Sequence, residues 1–257
     1  MNKIKTSFSH GNSVARIILD DGKGNVIDKI MIGELSAVLN SFQGNRELKL
    51  ITFEGTGKHF SFGASVEEHR KELVSEMLPS FHSIFYTISQ LSVPTLAKIS
   101  GQCLGGGLEL ALICNFLFAD KSARLGQPEI VLGVFPPPAS ILLPLKIGNA
   151  RAEDILLTGK VITAEDAMAA GLLNEIFDDK ATLDSGTDEW IIKNILPKSA
   201  SSLKYGVNAS RIFFNHILGK FLPALEETYL NNLMNTHDAN EGITAFLEKR
   251  KPEWKNR

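Results

Sequence analysis

The chain has 257 residues, of which 44% are hydrophobic and 22% charged, with a formal net charge of −2. That balance fits a folded protein with a sizeable core, and the lack of a long basic stripe argues against nucleic acid as a partner. Cys103 and Cys114 are the only cysteines, the six histidines are scattered without metal-ligand spacing, and MNKIKTSFSHGNSV has no signal-peptide apolar core. No apolar run approaches the ~20 residues that span a bilayer, so a reduced, cytoplasmic protein with no metal site and no membrane contact is expected.

In chain order, VARIILDD (14–21), KLITFEG (49–55), TLAKISG (95–101) and NFLFAD (115–120) are short, apolar and β-rich, and they read as buried strands. Between them, KIMIGELSAVLNSF (29–42), VSEMLPSFHSIFYTISQL (74–91) and GLELALIC (107–114) read as helices. Strands alternating with helices predict an α/β core with much parallel pairing. Further on, ARAEDILLTG (150–159) and TAEDAMAAG (163–171) each look like a helix closed by glycine, with Thr163 and Asp166 resembling a cap.

From Lys198 the pattern is almost wholly helical, which divides the chain into an α/β core carrying the site (1–197) and a helical region (198–257). Phe213, Phe214, Ile217, Leu218, Phe221 and Leu222 are too many large apolar groups for one exposed face. They are expected to pack against the rest of the chain or against another subunit. The closing basic run, EKRKPEWKNR, reads as a solvated helix end.

The chemistry concentrates in CLGGGLELALIC, where Gly105, Gly106 and Gly107 precede Glu109, a lone carboxylate among apolar residues. An ionised carboxylate there is expensive unless paired or used. A glycine turn entering a helix exposes N–H groups with no internal partner, aided by the helix dipole. The earlier segment GTGKHFSFGASVEEH (55–69) has the same design, with Gly63-Ala64-Ser65 after a strand. Two such loops could grip one carbonyl oxygen from two directions. A serine nucleophile is not indicated, since no G-x-S-x-G elbow is present. Glu129 follows in RLGQPEIVLGVFPPPAS, again beside apolar residues, and two such glutamates suit proton transfer around an activated double bond. Glu109 as a plain helix-start charge and Glu129 as an ordinary loop residue are the competing structural readings.

LGGGLELAL followed by LGQPEIVLG and preceded by KHFSFGAS closely resembles the enoyl-CoA hydratase/isomerase (crotonase) superfamily. ARAEDILLTGKVITAEDAMAAGLLNEI and EGITAFLEKRKPEW resemble it as well, so the likeness runs over nearly the whole chain. The resemblance implies an α/β, crotonase-like spiral of β-β-α units with a C-terminal helical region used for oligomerisation, as a homotrimer or homohexamer. It implies that the N–H groups of Ala64 and Gly106 bind a thioester oxygen while Glu109 and Glu129 exchange protons with a water. Lys58, Phe62, Gly63, Ser65, Gly105 and Pro136 would contact substrate or CoA. Phe246 and Lys249, with Lys251, resemble the segment that reaches a neighbouring subunit's CoA. No cofactor is implied, because CoA is part of the substrate.

Within the family, FSFGASVEEH and GVFPPPAS look most like alicyclic dienoyl-CoA hydratases of anaerobic aromatic degradation, which form 6-hydroxycyclohex-1-ene-1-carbonyl-CoA from cyclohexa-1,5-diene-1-carbonyl-CoA. Straight-chain hydratases usually carry Gly-Ala-Asp where this chain has Gly63-Ala64-Ser65, and a glycine-rich turn where it has Pro136-Pro137-Pro138-Ala139-Ser140. Glu67 stands where relatives often have a lysine. Retention of both glutamates favours a hydratase over an enoyl-CoA isomerase or a catalytically idle binding or assembly subunit, and the SFGAS and FPPPAS departures favour the alicyclic substrate over a straight-chain enoyl-CoA hydratase through pocket shape.

Overall fold

A computed structural model describes residues 3–257. Strands β1 (Ile4–Ser9) and β2 (Val14–Leu19) lead into helix α1 (Lys29–Ser41), and β3 (Leu50–Gly55) leads through a long loop into α2 (Val74–Leu91). Strands β4 (Thr95–Ile99) and β5 (Gln102–Leu104) precede α3 (Gly106–Leu112). Strands β6 (Phe116–Asp120) and β7 (Arg124–Gly126) precede a 3-10 turn at Pro128–Leu132 and then α4 (Pro137–Ile147). The chain continues through α5 (Asn149–Thr158), β8 (Val161–Thr163), α6 (Ala164–Ala169), β9 (Glu175–Phe177) and α7 (Lys180–Asn194). It closes with α8 (Ala200–Ser210), α9 (Ile212–Glu227), a π-helical turn at Thr228–Asn232, and α10 (His237–Leu247).

The larger sheet runs β1-β2-β3-β4-β6-β9, antiparallel only between β1 and β2; the smaller runs β5-β7-β8. Bridges Ile27↔Ala64 and Ser61↔Cys103 attach the loop after β3 to the same small layer. The chain therefore winds as a spiral of β-β-α turns: β4 and β6 enter the large sheet, while their successors β5 and β7 enter the small one. The site forms where the small layer meets the helix starts.

Alternation along the strands sorts the packing. Ile51 and Phe53 of β3 face the main core, whereas Leu50 joins Val14, Leu96 and Phe118 against Leu183 and Ile191 of α7. On this second face the buried Glu54 accepts from Arg16 Nε at 2.9 Å and from Lys98 Nζ at 3.0 Å, the pairing a buried carboxylate requires. Thr163 and Asp166 form a reciprocal capping box on α6, as their spacing predicts.

The C-terminal helices share the main core, through Leu218, Leu222, Tyr229, Met234 and Ile243. The apolar excess of α9 is thus divided: Leu218 and Leu222 are buried and Phe214 and Ile217 pack on the core, while Ile212, Phe213 and Phe221 remain exposed. Among the described residues, no helix is long and apolar enough to cross a membrane.

Candidate active site

Two loops supply the backbone of the site. In the first, Ile27 N–H donates to Gly63 O at 2.9 Å and Ser65 N–H donates to Ile27 O at 3.0 Å. These flanking bonds leave the Ala64 N–H between them without an acceptor among the described residues. In the second, Leu104 N–H donates to Ser61 O at 3.0 Å and Gly105 N–H to Gly126 O at 3.0 Å. Helix α3 then opens at Gly106, whose N–H, the first of the helix, is likewise unpartnered.

The glycine triplet has three separate reasons. Gly105 adopts φ 49°, ψ −129°, a region a Cβ disfavours, and a Cβ there would lie 2.5 Å from Glu129 Oε1. A Cβ on Gly106 would lie 3.0 Å from Ala64 N, so its absence keeps the space beside the two free amides open. A Cβ on Gly107 would meet the Ser61 side chain at 2.6 Å, so this glycine lets α3 pack on the first loop.

Glu109 is one turn into α3 and only 4% exposed. Its Oε1 accepts from Ala139 N–H at 3.0 Å. Pro136 caps α4 and Pro137 and Pro138 fill its first two positions, which offer no N–H, so Ala139 is the first amide of that helix able to donate. Glu129 projects from the 3-10 turn. With its amide nitrogen turned toward Glu129, the buried Gln127 donates to Oε2 at 3.0 Å and Oε1 at 3.1 Å.

Both carboxyls line one cleft of about 650 Å³, mouth included, with apolar walls from Met77, Leu78, Phe81, Leu132 and Phe135. Burial, and then the neighbouring Glu129, raise the Glu109 carboxyl well above the usual carboxylate range, against the opposing pull of the Ala139 amide. Burial lifts Glu129 as well, to about 8. The pair therefore retains a proton near neutral pH, so one site can both give and take protons.

These raised values make a stability prediction. The native state holds these protons more tightly than the unfolded chain does, so the carboxyls favour folding most in acid, and that contribution is lost as pH rises from about 4 through the raised native values. Glu129→Gln is expected to melt at a higher temperature than the parent chain at alkaline pH, with the gap closing toward acid. Melting curves across pH read this directly.

Of the residues singled out in the sequence, Phe62, Gly63, Ala64, Gly105, Gly106, Glu109, Glu129 and Pro136 meet around this cleft. Lys58, Ser65, Phe246 and Lys249 do not line it. Lys58 lies exposed on the loop after β3, Ser65 uses its amide to hold Ile27 O, and Phe246 and Lys249 lie exposed at the end of α10. Two polar lining residues carry no site expectation from the sequence, His69 and Tyr229. His69 Nδ1–H donates to Ser65 O at 2.7 Å, and burial lowers its pKa and keeps the ring neutral. It belongs to the FSFGASVEEH segment, which was its available signal; Tyr229 lies far down the chain, outside every motif.

The enoyl-CoA hydratase/isomerase family profile matches residues 9–257. A cyclohexa-1,5-dienecarbonyl-CoA hydratase from Thauera aromatica is 39% identical over 99% of this chain and 97% of its own length. A probable enoyl-CoA hydratase from Rhizobium meliloti is 34% identical over 91% and 90% of the two chains. Among solved structures, an enoyl-CoA hydratase from Mycobacterium avium subsp. paratuberculosis shares the fold, with a TM-score of 0.86 at 22% identity and 99% coverage of both chains. One from Bacillus anthracis has a TM-score of 0.78 at 28% identity, covering 99% of this chain and all of its own.

Proposed function

The chain belongs to the enoyl-CoA hydratase/isomerase family and is a hydro-lyase, and from that premise we propose that it adds water to cyclohexa-1,5-diene-1-carbonyl-CoA. The observation that carries the hydration chemistry is the meeting of two proton-holding carboxyls and two unpartnered amides in one apolar cleft.

The thioester oxygen takes the N–H groups of Ala64 and Gly106, which draw electrons from the conjugated system and make the β-carbon electrophilic. Glu129 accepts a proton from a water whose oxygen bonds to that carbon, while Glu109 orients the water and handles the second proton. With a second conjugated double bond the enolate extends across the ring, and protonation at its far end gives 6-hydroxycyclohex-1-ene-1-carbonyl-CoA. One hydroxyl and one hydrogen are added, with no change of oxidation state. CoA is part of the substrate, and the chemistry asks for no other group.

The cyclic acyl group is supported by the rigid wall of Phe135, Pro136 and Pro137 and by the name of the Thauera relative. Ile212, Phe213 and Phe221, exposed on α9, are the surface for a homotrimer or homohexamer, in which Lys58, Ser65, Phe246 and Lys249 serve CoA beyond the acyl cleft. Hydration of crotonyl-CoA and of the cyclic dienoyl thioester, compared by absorbance, tests the substrate. The cyclic substrate is expected to lead by ~10-fold or more in kcat/KM, the scale at which a shaped pocket discriminates. A preference for crotonyl-CoA would make this a straight-chain hydratase.

A further inference from the structure

Tyr229 is a polar group of the cleft that the preceding mechanism leaves unused. It lies in the π-helical turn that follows α9, with its ring edge-on to Phe135 at 5.4 Å between centroids and 1% of its surface exposed. Its hydroxyl is buried and has no hydrogen-bond partner among the described residues. Phenylalanine would fill the same place without leaving a buried hydroxyl unsatisfied, so the oxygen is a cost to folding that packing does not explain. Single π-turns within longer helical stretches recur at functional sites. Tyr229 lines the same cleft as both carboxyls, and burial, then Glu129, then Glu109 hold the phenol protonated far above its usual range, so it stays a neutral donor.

We propose that the Tyr229 hydroxyl is a catalytic hydrogen-bond donor to the oxygen that is added to, or removed from, the acyl chain. The inference rests on the hydratase reading of this site. A water that gives up a proton to a glutamate as it attacks carries partial negative charge on its oxygen, and a donor fixed by a rigid ring stabilises that charge while holding the oxygen on line. Glu109 and Glu129 exchange protons with the water; Tyr229 adds a fixed neutral donor, which a carboxylate that has given up its proton is not. No proton leaves the phenol, so proton transfer still runs between the two glutamates, the water and the substrate.

Tyr229→Phe removes the hydroxyl and keeps the ring against Phe135. With whichever of crotonyl-CoA and the cyclic dienoyl thioester the parent enzyme hydrates better, kcat is expected to fall by ~10-fold or more while KM stays within about twofold, the pattern of a contact made in the transition state. The melting temperature is expected to hold or rise, because an unsatisfied buried hydroxyl has been removed. Unchanged kcat, or a loss of activity matching a loss of folded protein by circular dichroism, overturns the role. Should the parent enzyme hydrate neither substrate, the hydratase reading itself falls and the Tyr229 role with it, an outcome distinct from a silent Tyr229→Phe.

Discussion

Glu109→Gln and Glu129→Gln are each expected to lower kcat by at least ~10²-fold, the usual scale of lost acid–base assistance. Glutamine keeps the volume of glutamate, and its carbonyl can still accept from Ala139 N–H at position 109. At position 129 a glutamine can pair with the buried Gln127 amide that now donates to the carboxylate. Neither change opens a cavity, and each removes an ionisable group from an apolar site, so circular dichroism and melting should match or exceed the parent chain. What is lost is the exchangeable proton. Groups that act as a unit are not additive, so the double variant is expected to be little worse than either single one. Parent-like rates in both single variants would remove the acid–base assignment.

Gly106→Ala is expected to reduce kcat/KM by ~10²-fold or more, as disabling a carbonyl-binding amide does elsewhere. Alanine favours a helix by about 1 kcal/mol over glycine, so α3 itself should not suffer. The methyl group would, however, lie 3.0 Å from Ala64 N, 3.1 Å from Ala64 Cβ and 3.4 Å from Phe81 Cζ. The backbone neighbour cannot yield as a flexible side chain would, so the two loops must part or the oxygen's place must fill. Steady-state kinetics, with a melting curve as control, separates this from unfolding. Full activity in Gly106→Ala would mean that the thioester oxygen binds elsewhere.

How much of this could be read beforehand depended on how local the cause was. Strands β2, β3, β4 and β6 lie within the apolar runs that predicted them, because burial on both faces writes a continuous hydrophobic signal. Strands β5, β7, β8 and β9 have three residues each, too few for any periodicity, and exist because distant partners pair with them. Helix α7 escapes a pattern reading because it buries only Leu183, Thr187 and Ile191, a single narrow stripe spaced by four, around an interior Gly186. Pro136, Pro137 and Pro138 stand where straight-chain relatives have a glycine-rich turn, yet here they cap and open α4, where the first positions need no N–H. That detail hands Glu109 the Ala139 amide, a contact no spacing in the sequence announces.

The candidate site divides in the same way. Glu109, Gly105 and Gly106 are neighbours along the chain, so the motif that names one brings the others. Ala64 and Glu129 join them through the Leu104–Ser61 and Gly105–Gly126 backbone bonds, which tie the loops into one layer. Tyr229 arrives only through the packing of the C-terminal helices on the core. Phe246 and Lys249 stand outside the cleft, exposed at the end of α10.

The most direct test is a crystal structure of the protein with a slowly turned-over acyl-CoA thioester. Its carbonyl oxygen is expected about 2.7–3.1 Å from both the Ala64 and Gly106 nitrogens, with the β-carbon facing the Glu109 and Glu129 carboxyls. An oxygen bound away from either amide, or a β-carbon turned from both glutamates, would contradict the account.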